Sequence, residues 1–362
     1  MKQRIMESAY MQWAKQHVHV AHNLAISGLT SAPLSLLPVR LEDLEITGNS
    51  VYGYPPLQEA LSRHCRVGAD KIFATIGTSL ANHIAMAVLA EPGDEVLVEE
   101  PSYELIVSTA AYLGAAVTRF PRRREENFRI DPADIARRMT PKTKLIVLTN
   151  LHNPSSALTD EPTLIEIGRI AAKAQARVLV DEVYLDAAFE RAPRSAVHLG
   201  REFVVTSSLT KVYGLSGLRC GWVLAEPSLI RRMWHLNDLY DGIPPHATER
   251  LSVIALDHLD PIRSWARGIL EANRKQAEEF LLPRDELECF FPESGTVIFP
   301  RLRKGPVDAL YRHLMKRYET AIAPGYFFGL PDHFRIGLGG RPEQFLVGLK
   351  NLCNALDTLP PA

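Results

Sequence analysis

Residues 207–221 read SSLTKVYGLSGLRCG. Lys211 stands there with hydroxyls at Ser208 and Thr210, glycines at Gly214, Gly217 and Gly221, and Arg219 eight residues on. A lysine alone at the end of a strand is ordinarily a solvated surface residue. Its neighbours point elsewhere. Glycines let backbone approach a ligand closely, a planar guanidinium grips phosphate through paired hydrogen bonds, and a lysine amine condenses with an aldehyde. Such a group suits an anionic cofactor that carries an aldehyde.

Further segments carry residues able to serve that site. Residues 76–79 (IGTS) lead from a strand into a helix, and a helix start offers free amides to an anion; taken alone, Gly77, Thr78 and Ser79 are an ordinary capped start. In 100–103 (EPSY), Tyr103 by itself fits a core aromatic. Asn153 precedes a proline in 150–156 (NLHNPSS), a common turn signal. Residues 180–184 (VDEVY) end an apolar run on Asp181, with Tyr184 three residues on, where a plain polar strand cap is the alternative. Arg335 lies in 332–338 (DHFRIGL), just after 323–329 (APGYFFG), and in isolation would be read as one half of an ion pair.

In this order the segments resemble the class I/II aminotransferases, enzymes of fold type I that use pyridoxal 5′-phosphate (PLP), over about residues 20–358. The family's serine, lysine and arginine fall on Ser208, Lys211 and Arg219. The resemblance implies that Lys211 holds PLP as a Schiff base, and that Gly77, Thr78, Ser79, Ser208 and Arg219 receive its phosphate. It also implies that Tyr103 stacks on the ring, that Asn153 and Tyr184 reach the 3′ oxygen, and that Asp181 contacts the pyridine nitrogen. A carboxylate there keeps the nitrogen protonated, so the ring accepts electrons when the substrate Cα loses its proton. Freed Lys211 is then the general base. Arg335, with Asn153 and the backbone at Gly28, is implied to bind the substrate α-carboxylate and so orient the Cα–H bond. Two departures stand out. Ser156 replaces the glycine of the family's H-N-P-T-G turn. Residues 48–60 (GNSVYGYPPLQEA) are shorter than the stretch that carries a tyrosine to the partner subunit's phosphate, and Tyr52 is the residue assigned that role.

Positioning these residues takes strands that alternate with helices, the pattern of a mostly parallel sheet covered by helices. Runs at 71–76, 95–99, 116–120, 144–149, 177–181, 202–207 and 220–224 read as strands, and 79–91, 102–113, 131–139 and 161–174 as helices. Residues 227–280 have helical period with an interruption at 242–245, and from 288 short strands mix with helices at 307–317 and 342–357. The expected fold is α/β: a mostly parallel, seven-stranded sheet in a large PLP-binding domain, three-layer α/β/α as in aspartate aminotransferase, with a smaller α+β C-terminal domain. The expected division is a segment 1–49 packing with the small domain, a large domain 50–240, connecting helices 241–284 and a small domain 285–362.

A formal net charge of −1 gives no electrostatic surplus for nucleic acid or anionic lipid. No uncharged apolar run approaches the roughly 20 residues that span a bilayer. Lys2, Arg4, Glu7 and Lys15 break up any signal-peptide core. Cys65, Cys220, Cys289 and Cys353 form no C-x-x-C pair, so no metal site is expected and a cytoplasmic location is. A decarboxylase or carbon–sulfur lyase on the same scaffold is the nearest rival. A non-catalytic PLP-binding regulator would need a DNA-binding segment of about 60 residues that the chain does not offer. The third rival is a plain α/β domain without PLP. No second arginine is marked for a side-chain carboxylate, and Tyr10, Tyr52, Tyr54, Tyr326 and Phe327 are candidates for an apolar pocket. The expected partners are therefore a neutral or aromatic L-amino acid and a 2-oxo acid, handled by a homodimer with sites at its interface.

Overall fold

Unbroken Val, Ile and Leu runs such as those at 145–148 and 178–180 suit strands covered on both faces. In the computed structural model, which describes residues 6–16 and 20–359, they take that place. Lys2 and Arg4 lie outside the described residues. Strands β1 (Ile72–Ile76), β2 (Glu95–Glu100), β3 (Ala116–Pro121), β4 (Thr143–Thr149), β5 (Arg177–Asp181), β6 (Phe203–Ser208) and β7 (Cys220–Leu224) form one sheet of seven. Their order across it is β1-β7-β6-β5-β4-β2-β3. Alternate side chains go to opposite faces. Leu145, Val147, Leu179 and Val204 join a core with Ile84 and Ala85 of helix Thr78–Leu89. Ile146, Leu148, Val180 and Val205 join a second with Leu164 and Ile167 of helix Glu161–Lys173.

Strand direction decides where chemistry can gather. β7 is antiparallel to both β1 and β6, and every other pairing is parallel. The carboxyl ends of β1, β4, β5 and β6 therefore share one edge of the sheet, and the amino end of β7 meets them there. Gly77, Asn150, Asp181, Ser208 and Arg219 all stand at or next to those ends, the place where open α/β sheets bind ligands.

The long helical stretch divides into Pro227–Asn237, His246–Asp257 and Leu259–Leu281. The expected interruption falls between the first two, and a second break occurs at His258 (φ −128°, ψ 39°). Pro261 lies in the first turn after that break, where a missing amide costs nothing. Asn273, fully buried on Leu259–Leu281, donates through Nδ2 to the carbonyls of Leu338 and Gly340, each at 2.7 Å, and so anchors the C-terminal region.

In that region, Phe334–Gly337 lies between Val297–Ile298 and Ala323–Pro324, antiparallel to both. Residues 297–302 do not form one strand: Val297–Ile298 pairs with Phe334–Gly337 and Arg301–Leu302 with Leu287–Glu288, because Pro300 between them has no amide for a ladder. The N-terminal residues His22–Asn23 add a parallel pairing to Thr320–Ala321. Before them runs a helix, Ala9–Gln16, that the sequence pattern did not announce.

Candidate active site

The turn after β1 forms a cradle of donors. Gly77 has φ +91°, and a Cβ there would lie 2.4 Å from Arg219 Nη2. A Cβ on Gly221 would come within 2.6 Å of Gly77 Cα. Only glycine at both positions lets Arg219 and the start of helix Thr78–Leu89 come this close. The first amides of that helix have no carbonyl of their own turn to bond. Thr78 Oγ1 and Thr210 Oγ1 are buried without a partner among the described residues, and Ser208 Oγ accepts from the Thr210 amide at 3.3 Å. Arg219 itself makes long bonds, 3.3 Å each, to the carbonyls of Ser216 and Ile76. Amides, unspent hydroxyls and a guanidinium aimed at one point fit a phosphate.

Beside this cradle stand Lys211 and Asp181. Lys211 Nζ donates to Ser27 Oγ at 3.3 Å, and the Tyr184 hydroxyl donates to the same oxygen at 2.9 Å. Burial lowers the Lys211 amine below its ordinary value, Tyr10 opposes that shift, and the cations Arg335 and Arg219 add to it. Asp181 is buried, accepting from Asn82 Nδ2 at 2.8 Å and the Val183 amide at 3.1 Å. Desolvation pushes its carboxyl up to about 6 despite those donors. Such a carboxylate is short of positive charge, and a ring N–H⁺ would supply it. The donor cradle, the lysine and this acid together fit PLP.

Arg335 has no exposed surface. Its Nη1 donates to Asn153 Oδ1 at 2.9 Å, and its Nη2 to the Tyr10 hydroxyl at 2.7 Å and the Ala25 carbonyl at 2.8 Å. Asn153 is fixed in turn by its amide, which donates to Thr149 Oγ1 at 2.9 Å. That hydroxyl donates to Glu99 Oε1 at 2.7 Å, and Glu99 pairs with Arg122 at 2.7 Å, both side chains fully buried. Ser156, where the family has glycine, still adopts φ +58°, and its Oγ donates to the Val297 carbonyl at 2.8 Å. The hydroxyl ties this turn to strand Val297–Ile298.

Thr78, Ser79, Tyr103, Asn153, Asp181, Tyr184, Ser208, Lys211 and Arg219, all marked in the sequence, line one cavity of about 340 Å³. Gly77 borders it under Arg219, and Gly28 packs on Lys211, where a Cβ would lie 3.1 Å from Cδ. Arg335 sits behind the wall formed by Tyr10 and Asn153. Tyr52 is elsewhere: half-exposed, its hydroxyl donating to Asp238 Oδ2 at 3.1 Å. The apolar wall also differs from expectation. Tyr54, Tyr326 and Phe327 do not line the cavity, and Met11, Trp13, Ala14 and Ile26 do. Tyr10 lines it, but its hydroxyl is turned to Arg335. Sequence reading also missed Asn82 and Ser27. Asn82 is a buried amide in an otherwise apolar stretch, one turn after Thr78, and that placement was the available signal.

The family model described as aminotransferase class I and II matches residues 45–356. The chain belongs to that family. This aminotransferase is 29% identical to capreomycidine synthase of Streptomyces vinaceus over 93% of the chain and 88% of the relative. It is 25% identical to an arginine–pyruvate transaminase of Pseudomonas aeruginosa over 89% and 87%. In fold it resembles a PLP-dependent aminotransferase from Streptococcus suis (TM-score 0.93, 23% identity, 100% of both chains). It also resembles a PLP-dependent cyclase, OrfR (TM-score 0.89, 24% identity, 99% and 98% of the chains). The cofactor of this aminotransferase is PLP. Among its described residues no helix is long and apolar enough to cross a membrane.

Proposed function

We propose that the protein moves the amino group of an L-amino acid with a neutral or aromatic side chain to a 2-oxo acid, with Lys211 as the base. The observation that carries this is the composition of one cavity. Lys211, Asp181 and the phosphate cradle meet there, and among its described lining residues Lys211 and Arg219 are the only cations. With Arg219 committed to phosphate, Lys211 to the reaction and Arg335, behind the wall, to the α-carboxylate, none of these three cations is left for a side-chain carboxylate. Met11, Trp13 and Ile26 offer apolar and aromatic surface instead.

Bound PLP supplies an electron sink for the charge left when the amino acid's Cα loses its proton. Asp181 holds a proton on the ring side by its negative charge, and Asn82 fixes the orientation of that carboxylate. Asn82 is itself locked, since its Oδ1 accepts from Thr206 Oγ1 at 2.6 Å. Arg335 and Asn153 hold the substrate carboxylate so that the Cα–H bond faces Lys211. An amine with its affinity for protons lowered by burial can take the proton and return it within one turnover. Tyr103 packs edge-on to Tyr10, with ring centroids 5.4 Å apart, and together they close one side against water.

The active unit in this proposal is a homodimer. Leu41, Ile46, Val51, Leu239 and Ile243 are all exposed, which supports a covered surface, and in this reading the half-exposed Tyr52 contacts a second subunit's phosphate. The division into a large domain 50–240 and a small domain 285–362 is proposed with it.

A cyclase using the same base and carboxylate clamp is the second possibility, favoured by the match to capreomycidine synthase. A screen of L-amino acids, each with and without a 2-oxo acid, separates the two. The expected result is oxo-acid-dependent turnover, highest with a neutral or aromatic donor. Highest turnover with aspartate overturns the specificity, and repeated consumption of donor beyond one equivalent per site without an oxo acid overturns transamination.

A further inference from the structure

We propose that the Tyr10 hydroxyl is a substrate-positioning group, a second donor to the α-carboxylate alongside Arg335. This rests on the reading of Arg335 as the carboxylate site.

Tyr10 is contributed by helix Ala9–Gln16 and is 7% exposed. Its oxygen accepts from Arg335 Nη2 at 2.7 Å. Among the described residues its own O–H is given to no acceptor, although the ring lines the same cavity as Lys211. A buried hydroxyl that accepts from a guanidinium is polarised by the positive charge and becomes a better donor. A carboxylate brought to Arg335 meets that O–H on arrival. With Arg335 behind Tyr10 and Asn153, it receives the phenol's bond at the cavity wall and the guanidinium's bond where Asn153 Oδ1 gives up Nη1.

The helix keeps the hydroxyl in place. Trp13 Nε1 donates to the Tyr311 hydroxyl at 3.0 Å, and Ser8 Oγ donates to the Glu104 carboxylate. The Tyr103 hydroxyl points at Met11 Sδ at 3.2 Å. The Tyr10 ring is held edge-on by Tyr103 and Phe327, at 5.4 and 5.5 Å between centroids. A neutral donor fixed this firmly would add orientation at the α-carboxylate without adding a charge.

Tyr10→Phe keeps the ring contacts and removes only the hydroxyl. The probe is a 2-methyl amino acid, which carries the carboxylate but has no Cα–H to lose. Its dissociation constant is read from the cofactor absorbance of the holoenzyme. The expected result is a rise of about ten- to a hundredfold, the range for a hydrogen bond to a charged group. KM for both the amino acid and the oxo acid should rise in step, with kcat little changed. An amine lacking the carboxylate should bind both proteins equally, whatever fall in thermal midpoint follows from the acceptor lost to Arg335. In an Arg335→Gln background the same substitution should cost much less, since the two donors act on one group. Unchanged binding of the methyl analogue, or equal weakening toward the carboxylate-free amine, overturns the proposal. The probe reports carboxylate capture without turnover, so a wild type that binds it and does not transaminate overturns the functional reading alone.

Discussion

Replacing Arg122 by methionine should destabilise the protein in a manner that depends on pH. Arg122 and Glu99 are fully buried, and Arg122 also donates to Thr159 Oγ1 and to the carbonyls of Phe128 and Thr149. Removing one partner of such a pair strands the other charge, at a cost of about 3–5 kcal/mol. With an unfolding entropy of roughly 2.1 cal/mol/K for each of 362 residues, that cost corresponds to a fall of about 4–7 °C in Tm. Burial already raises the Glu99 carboxyl above its ordinary value, and Arg122 is the largest influence opposing it. Without Arg122 the folded-state value climbs further above the unfolded one. Between those two values the folded state binds more protons than the unfolded chain, so stability falls as pH rises through the window. Thermal unfolding of wild type and variant at about pH 5 and about pH 8 should therefore show the larger loss at the higher pH. Because Glu99 orders Thr149, and Thr149 orders Asn153, KM for the amino acid should rise as well. A variant within about 1 °C of wild type at both pH values, or one hurt more by acid, would refute the reasoning.

Gly221→Ala places a methyl where Gly77 Cα would be 2.6 Å away, so the phosphate cradle must open and PLP affinity should fall at least about tenfold by equilibrium dialysis. Undiminished affinity would show that the close approach of the two strands is not needed. Leu239→Glu sets a charge on an exposed apolar residue next to Asp238, the hydrogen-bond partner of Tyr52, and sedimentation equilibrium should show monomers with weakened PLP binding. An unchanged dimer would move the interface elsewhere, and a monomeric wild type would remove Tyr52 from the site.

The large sheet was legible because burial on both faces demands continuous apolar runs, and the observed strands depart from the expected bounds by a residue or so. The site residues that were legible stand at strand ends, where Asp181 and Lys211 interrupt or follow apolar runs with a polar group. Tyr10 was read as pocket wall because its bond to Arg335 joins residues 325 positions apart, a relation that only the folded chain creates. Ser27 is comparable, reaching Lys211 across 184 positions. Helix Ala9–Gln16 escaped notice since Tyr10 is its one buried residue, too little for a periodic pattern. The break at His258 lacks a glycine, and Pro261 was its only local mark. Ser156 shows the opposite case. A side chain unsuited to positive φ is held there, and its hydroxyl gains a partner on Val297 that glycine cannot supply.

The most direct test of the central claim is to bind PLP to the purified protein, reduce it with borohydride and map the modified peptide by mass spectrometry. The expected result is one PLP-bearing peptide, modified at Lys211, absent from Lys211→Ala even though that variant still binds the cofactor through Arg219 and the turn at Gly77. Modification spread over other lysines, or none at all, would contradict the assignment of Lys211 and the site built around it.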